Sequence, residues 1–377
     1  MFSVLREGFI LDKVMTLHDA VAKFVENGDV VCCGGFTTNR KPYASVYEIL
    51  RQGQKDFTLW GGPAGGACDL LIGEGRIKNY INCYTANSGY TNVSRRFRAS
   101  IENGKQKFED YSQDVLMLQL HAASLGLPYL PVRLMQGSGL MKYWGISEEE
   151  RSVDPKLDNL KCVEVENPFV PGQKVVAVPV PRLDLALIHV QQASPDGTCV
   201  IMGDEFHDVD IAVAARKVIV TCEEIVSNEY IRRDPTKARV FGECVSAVVH
   251  APYGAWPSQC YGYYDNDPGA LKEYDKASKY QDAEDAKAQL AKAAAKAAKA
   301  AAAAPDDAKL AEAAAKAQKV ADDAAAGIAV PETFEDYVNK WVYSVKDNSE
   351  LLDKIGGNRL MSLKNAPHLG YSITHLK

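Results

Sequence analysis

The stretch Asp29-Val-Val-Cys-Cys-Gly-Gly-Phe-Thr-Thr-Asn-Arg-Lys-Pro42 decides the fold class of this chain. The apolar run Val30–Cys33 predicts a short strand buried on both faces of a parallel sheet. Gly34 and Gly35 end that run, and Pro42 opens a helical pattern, because proline suits a first helical turn. The N–H groups at such a helix start favour phosphate or carboxylate. The alternative is a plain strand–helix turn with solvated polar side chains, since the stretch is not a full Gly-x-Gly-x-x-Gly fingerprint.

The same order of strand, glycine turn and helix returns further along the chain. Phe57–Trp60 predicts a second strand, followed by Gly61-Gly-Pro-Ala-Gly-Gly66, and Ile77–Tyr84 predicts a third, followed by Thr85-Ala-Asn-Ser-Gly-Tyr90. Further strands are predicted at Val175–Val180, Leu185–Val190, Val218–Thr221 and Val245–His250, with an edge or irregular strand at Leu127–Leu134. This alternation predicts an α/β fold with an open, mostly parallel sheet, and sites in such sheets lie beyond the carboxyl ends of strands.

Composition excludes several classes of function. The chain has 377 residues and a formal charge of -6, which argues against nucleic acid as a partner. No apolar run reaches the roughly 20 residues that a membrane span needs, and the N-terminus lacks a secretory layout. Nine scattered cysteines without a Cys-x-x-Cys pair indicate reduced, buried thiols. We therefore expect a cytoplasmic protein.

An alanine- and lysine-rich segment interrupts the α/β pattern. Residues 281–330 predict two helices separated by Pro305, packed through alanines, because alanine is the best helix former. We expect residues 1–280 to form the α/β domain and residues 331–377 to complete it with a C-terminal helix and tail. The hairpin is predicted as either a solvated spacer or an arm that docks a partner subunit.

The sequence does not display a nucleophile or a metal-ligand cluster. His121 and His189 stand in apolar surroundings, which predicts core histidines. The segment Asp204–Asp210 is rich in carboxylates but does not match a calcium loop, which predicts a solvated loop. The chain therefore offers anion-binding turns without an evident catalytic group.

Several long motifs resemble one family, the A (alpha) subunits of glutaconate-type class I CoA-transferases. The motifs are Gly34–Pro42, Tyr80–Gly89, Val93–Arg98, Tyr111–Asp114, Leu125–Pro131, Gln136–Gly139 and Ser194–Gly197. The resemblance runs from Val14 to about Tyr371 and leaves out the alanine-rich hairpin.

The resemblance implies a two-subunit enzyme with an open α/β fold. Such enzymes move CoA from an acyl-CoA, such as acetyl-CoA, to a short dicarboxylate, such as glutaconate or 2-hydroxyglutarate. A glutamate of the B subunit forms an acyl-glutamyl anhydride and then a glutamyl-CoA thioester, which is covalent catalysis by a carboxylate. The resemblance thus implies no catalytic residue on this chain, no metal and no cofactor, because CoA and acyl-CoA are substrates.

The resemblance also implies that this chain positions the substrates and stabilises an oxyanion. The predicted substrate-binding residues are Thr37, Thr38, Asn39, Arg40, Asn87, Ser88, Gly89, Gln136, Gly137 and Ser138. Arg40 is predicted to bind the distal carboxylate, since a guanidinium binds a carboxylate through two parallel hydrogen bonds. Arg95, Arg96 and Arg98 either meet CoA phosphates or lie on a solvated or subunit-facing helix.

Two other functions stay open. Some relatives of this fold hydrolyse a cyclic acyl-CoA and carry a glutamate about where Gln113 stands, and an amide cannot replace that base. The second alternative is a non-catalytic scaffold subunit whose hairpin recruits another complex.

Overall fold

The computed structural model describes residues 12–61, 64–86 and 93–365. Contacts between residues divide the chain into two units, one up to Pro268 and again from Lys346, the other Gly269–Val345. In the described part, no helix is both long enough and apolar enough to cross a membrane.

The chain forms twelve strands within these ranges, which make two sheets. They are β1 Val30–Cys33, β2 Phe57–Trp60, β3 Ile77–Asn82, β4 Lys107–Asp110, β5 Tyr129–Val132, β6 Val163–Glu166, β7 Lys174–Pro179, β8 Leu185–Ala193, β9 Cys199–Val200, β10 Lys217–Ile225, β11 Ala238–Val240 and β12 Ala247–His250.

Fifteen α-helices accompany them in the described part. They are α1 Leu17–Phe24, α2 Tyr43–Gln52, α3 Gly66–Gly73, α4 Arg95–Glu102, α5 Gln113–Ser124, α6 Gly139–Lys142, α7 Glu148–Ser152, α8 Asp208–Ala214, α9 Asn228–Arg232, α10 Pro268–Ala277, α11 Ala283–Ala303, α12 Ala308–Ala325, α13 Phe334–Val338, α14 Asn348–Ile355 and α15 Gly357–Leu363. Short 3-10 turns lie at Pro235–Lys237 and Gly242–Cys244, and a π-helical turn at Asn339–Tyr343.

The large sheet confirms the predicted mostly parallel α/β fold. Its path β12-β10-β8-β1-β2-β3-β4 is parallel throughout, and β9 and β11 add antiparallel pairs at the end of β8. Every residue of β1 and β8 is buried, as a central parallel strand requires. Parallel strands end at one edge, so the segments after β1, β2, β3 and β4 all begin at that edge.

A second, three-stranded antiparallel sheet has the order β5-β7-β6. The predicted edge strand at Leu127–Leu134 is confirmed as β5, an end strand of this sheet. Strand β6 was not predicted, because its sequence Val-Glu-Val-Glu is short and half charged. In β7, Val176 and Val178 face the main core, so this sheet joins the large one through shared apolar contacts.

The alanine-rich segment forms two helices, α11 and α12, each capped by an aspartate side chain, Asp282 and Asp307. The helices bury mainly alanines, among them Ala294 and Ala324. Contacts place them in one unit with α10 and α13, so the observed unit extends beyond residues 281–330 on both sides. Phe334 N donates to Tyr280 O at 2.9 Å, and this hydrogen bond closes the base of the hairpin.

Replacement of residues 283–326 by a short glycine–serine turn should leave the remaining chain folded. The hairpin base is already joined by backbone hydrogen bonds, so a short turn can bridge it without moving either end. Circular dichroism should show less helix, while the melting temperature of the remainder stays within a few degrees. A loss of cooperative unfolding would contradict this expectation.

Candidate functional site

The loop after β1 forms a tight turn from Phe36 to Asn39. Phe36 N donates to Asn39 O at 3.0 Å, and Asn39 N donates to Phe36 O at 2.8 Å. Thr37 takes a φ of 48°, a left-handed conformation that costs a β-branched residue on the order of 1–3 kcal/mol. Within the described residues, the N–H groups of Thr37 and Thr38 donate to no acceptor, and both residues are partly exposed. Two free N–H groups on a strained turn can bind an anion.

A second loop holds this turn in place. Arg40 N donates to Gln259 O at 2.8 Å, and Gln259 N donates to Thr38 O at 3.0 Å. The Asn39 side chain accepts from Tyr261 N at 3.3 Å, and Asn39 is itself buried. Asn39 therefore supports the loop through its amide oxygen, while Thr37 and Thr38 stay at the surface. No local signal in the sequence points to this partner segment, because it lies more than 200 residues away.

Arg40 is fully buried, which corrects the expectation that it binds a substrate carboxylate. Its guanidinium forms an ion pair with Asp208, donates to Asp204 O, and donates to His189 O at 3.2 Å. The other Asp208 oxygen accepts from Gly35 N at 2.7 Å. A guanidinium enclosed in this way has no face open to substrate, so we assign Arg40 a structural role.

Lys41 is a second buried cation under the same loop. Its ammonium donates to Gly35 O at 2.7 Å, and burial lowers the pKa of Lys41. Next to it, a hydrogen bond from the Cys33 thiol lowers the pKa of the Cys68 thiol. In the described part, all nine cysteines are free thiols, as expected.

The segment Asp204–Asp210 is not the solvated loop that its composition predicts. His207 and Asp208 are both buried, because Asp208 pairs with Arg40 and His207 reaches the backbone of β1. His207 Nε2 donates to Cys33 O at 3.2 Å, and burial lowers the pKa of His207 to about 4. The Phe206 ring contacts Phe36 with centroids 4.6 Å apart, so this segment forms one wall beside the turn.

The predictions for His121 and His189 had opposite outcomes. His121 is exposed and pairs with Asp210 at 2.9 Å, so the prediction of a core histidine is wrong there. His189 is buried, so the prediction of a core histidine is confirmed there. Its Nε2 lies 2.7 Å from Glu223 Oε1. The ligand atoms of His189, Glu223 and Cys260 lie within 4.8 Å of one another. Tyr264 also donates to this carboxylate at 2.8 Å, so a hydrogen-bond network already engages it.

The predicted residues Gln136, Gly137 and Ser138 follow β5 of the small sheet, not a strand of the large sheet. The exposed Gln136 amide donates to Lys174 O at 2.7 Å, and the Ser138 hydroxyl donates to Met135 O at 2.6 Å. The structure therefore places these three residues after β5 of the small sheet, whereas Thr37 and Thr38 follow β1 of the large sheet.

Asn87, Ser88 and Gly89 lie outside the described residues. Across this gap, Ser94 N donates to Thr85 O at 3.0 Å. Among the three arginines that follow, Arg96 is buried and Arg98 is exposed. Arg95 is partly exposed, so Arg98 has the most open side chain of the three.

The buried carboxylates near this edge are engaged by the protein. Glu109, the third residue of β4, pairs with Arg151 and, at 2.8 Å, with Lys161. Asp208 and Glu223 are held by the contacts described above. These carboxylates are paired or hydrogen-bonded, so they stabilise the site's framework instead of presenting a free nucleophile.

An open parallel sheet with polar, anion-binding turns at its carboxyl edge belongs to a known class. The sequence model of the coenzyme A transferase family matches residues 14–251, so the chain belongs to that family. The chain is 53% identical to the A subunit of glutaconate CoA-transferase from Acidaminococcus fermentans, over 97% of this chain and 99% of that one.

Two further comparisons support this family assignment. The crystal structure of glutaconate coenzyme A-transferase from Acidaminococcus fermentans superposes with a TM-score of 0.81, at 53% identity, over 97% of this chain and 100% of that chain. The A subunit of 3-oxoadipate CoA-transferase from Pseudomonas knackmussii is 32% identical over 71% of this chain and 89% of its own length. The resemblance seen in the motifs is therefore confirmed.

Substitution of Arg40 by alanine should destabilise the fold. It leaves Asp208 as a buried carboxylate without its cation, which costs about 3–5 kcal/mol. The double variant Arg40→Ala, Asp208→Ala should recover part of that loss, because the two residues are coupled. Urea unfolding of the single and double variants measures this. Additive losses would show that the two residues are not coupled.

The buried His207 should make stability depend on pH. Its pKa is about 4 in the folded chain and ordinarily about 6.5, so the unfolded chain binds more protons between these values. As far as His207 contributes, the free energy of unfolding is highest above pH 6.5. It falls as the pH drops toward 4, by about 3 kcal/mol at most. Urea unfolding at several pH values should show a flatter profile for His207→Gln than for the parent chain. His121→Gln, at an exposed position, serves as the control.

Proposed function

We propose that the chain is the cytoplasmic A subunit of a heteromeric enzyme that moves CoA from an acyl-CoA, such as acetyl-CoA, to a short dicarboxylate. Glutaconate and 2-hydroxyglutarate are the acceptors that we propose. The observation that carries this proposal is the 53% identity, over nearly the whole chain, to the A subunit of a glutaconate CoA-transferase. A B subunit is the proposed partner, since that relative is named as one subunit of its enzyme.

The proposed reaction needs a carboxylate nucleophile, which we assign to a glutamate of the B subunit. That glutamate attacks the thioester carbonyl, and the acyl group stays on it as an anhydride while CoA leaves as a thiolate. CoA then returns to the glutamyl carbonyl and expels the carboxylate product, and the second acid accepts CoA through the same steps in reverse. The engagement of Glu109, Asp208 and Glu223 within this chain supports this division of work.

Each of these steps passes through a tetrahedral oxyanion. We assign the N–H groups of Thr37 and Thr38 to its stabilisation, because donors fixed in advance are effective at a site of developing charge. This assignment is supported by the strained turn at Thr37 and by the hydrogen bonds between the loop and Gln259, which fix the direction of both N–H groups. Asn87, Ser88, Gly89, Gln136, Gly137 and Ser138 stay proposed contacts for CoA or the acceptor. No cofactor is proposed.

Acyl-CoA hydrolysis is the alternative reaction. It requires a general base at the substrate, and the position implied for it by the resemblance carries Gln113. Gln113 is exposed at the first residue of α5, directly beyond β4, and its neutral amide cannot accept a proton from water. Transfer is therefore the better supported reaction.

Co-expression of the chain with a candidate B subunit tests the proposal. Acetyl-CoA and glutaconate should give glutaconyl-CoA with the mixture and not with either chain alone. Thr37→Pro should lower kcat at least tenfold, because proline cannot adopt a positive φ and removes an N–H group. Thr236→Val, at an exposed site, is the control. Free CoA without acceptor would indicate hydrolysis, and an inactive mixture would favour a scaffold.

A further inference from the structure

The loop after β12, residues 251–264, reaches across several strands to the candidate site. In the large sheet β10 and β8 separate β12 from β1, yet this loop bonds to the turn that follows β1. Gln259 N donates to Thr38 O at 3.0 Å, and Gln259 O accepts from Arg40 N at 2.8 Å. The contacts that hold the loop over β10 and β8 therefore also hold the Phe36–Asn39 turn.

Glu223 of β10 binds the loop near both of its ends. Its Oε2 accepts from Tyr253 N, and its Oε1 accepts from the Tyr264 hydroxyl, each at 2.8 Å. The same hydroxyl accepts from Ala255 N at 3.1 Å. One carboxylate thus joins the start of the loop to its end, and Gln259 lies between these two points in the sequence.

His189 of β8 connects this carboxylate to the cation below the turn. Its Nε2 lies 2.7 Å from Glu223 Oε1, and its backbone oxygen accepts from the Arg40 guanidinium at 3.2 Å. The loop packs directly on the imidazole, since a Cβ at Gly254 would lie 2.9 Å from His189 Cε1. The missing side chain at Gly254 permits this close approach. The carboxylate and the buried arginine therefore support the same turn through one residue.

The members of this network are buried, which makes their arrangement specific. Glu223, His189 and Tyr264 expose 6%, 0% and 1% of their surface. A buried polar group that loses its partner bears the full cost of its lost hydration, so displacement of the loop is strongly disfavoured. Hydrogen bonds in such a network also strengthen one another. The loop consequently has one favoured position over the strand ends.

We propose that Glu223 is a positioning residue for the proposed CoA transfer. By joining the two ends of the loop, it sets the position of Gln259. By way of Gln259, it sets the direction of the Thr37 and Thr38 N–H groups. This inference rests on the proposed function, which assigns those two groups to the oxyanion, and Glu223 itself does not touch the substrate.

A positioning role has a distinct kinetic signature. An oxyanion donor is effective only within about 2.7–3.1 Å of the place where charge develops, so a small displacement of the turn weakens it. Such a loss affects the transition state and leaves the bound acyl-CoA nearly unchanged. We therefore expect kcat to fall while KM for acetyl-CoA stays close to its original value.

The variant Tyr264→Phe loosens the loop and keeps the carboxylate. In the complex with a B subunit, kcat for transfer from acetyl-CoA to glutaconate should fall about tenfold, with KM for acetyl-CoA changed less than about twofold. Tyr111→Phe is the matched control, because the Tyr111 hydroxyl is also buried and donates to Lys161 O at 2.8 Å. It should lower the melting temperature as well but keep kcat. An equal loss of kcat in both variants would overturn the proposal.

Two variants of Glu223 separate positioning from direct catalysis. Glu223→Gln keeps the shape of the side chain and one acceptor oxygen, so it should retain more of the original kcat than Glu223→Ala. A carboxylate that attacked the substrate or moved a proton would be replaced by neither residue. Equal inactivity of the two variants would therefore refute the positioning role.

Amide hydrogen exchange of the full chain gives a measurement that does not depend on activity. Phe36, Asn39 and Arg40 donate backbone hydrogen bonds within the turn or to the loop. Their exchange should be faster in Tyr264→Phe and unchanged in Tyr111→Phe, and unchanged exchange in both would overturn the proposal. If exchange responds as expected but the original complex transfers no CoA, the proposed function fails, whereas the control of the turn by Glu223 stands.

Discussion

The buried ion pair between Arg40 and Asp208 is the contact on which the candidate site depends. It joins the loop after β1 to the start of α8, and the same Asp208 carboxylate accepts the Gly35 amide. A lone charge in this position is far more costly than a paired one, so the loop has one favoured arrangement. The Phe36–Asn39 turn is therefore held before any ligand arrives, and the strain at Thr37 is sustained by contacts that lie beneath it.

Most of the large sheet could be predicted from the sequence, because its central strands are short, mainly apolar runs, and β1 and β2 end directly before glycines. Strand β4 could not be predicted, because its sequence Lys-Phe-Glu-Asp is mostly charged. Strand β6 could not be predicted, because two glutamates interrupt its apolar run, nor could β9, which has two residues. The candidate site could likewise be predicted only in part. The loop Thr37–Arg40 was located from local residues, but the role of Arg40 depends on Asp208, which is 168 residues away. His207 and Asp208 were expected in solvent because their composition is polar, whereas tertiary partners allow them to be buried.

Two kinds of polar group meet at the carboxyl edge of the sheet. The buried acids and bases, among them Glu109, Lys161 and Glu223, satisfy one another and fix the framework. The surface groups, Thr37 and Thr38, have donors without acceptors among the described residues. Fixed donors and engaged carboxylates agree with the proposal that a partner subunit supplies the nucleophile, and the relatives are likewise named as A subunits.

The closed base of the alanine-rich hairpin has a consequence for how this chain can change over evolutionary time. Backbone hydrogen bonds already join Tyr280 to Phe334 and Gln281 to Glu335, so the chain between them forms a side branch. Insertions and deletions within that branch change its length without altering the positions of its two attachment points. Homologues can therefore vary freely in size at this point, and a fluorescent label or an affinity handle can be placed at its tip.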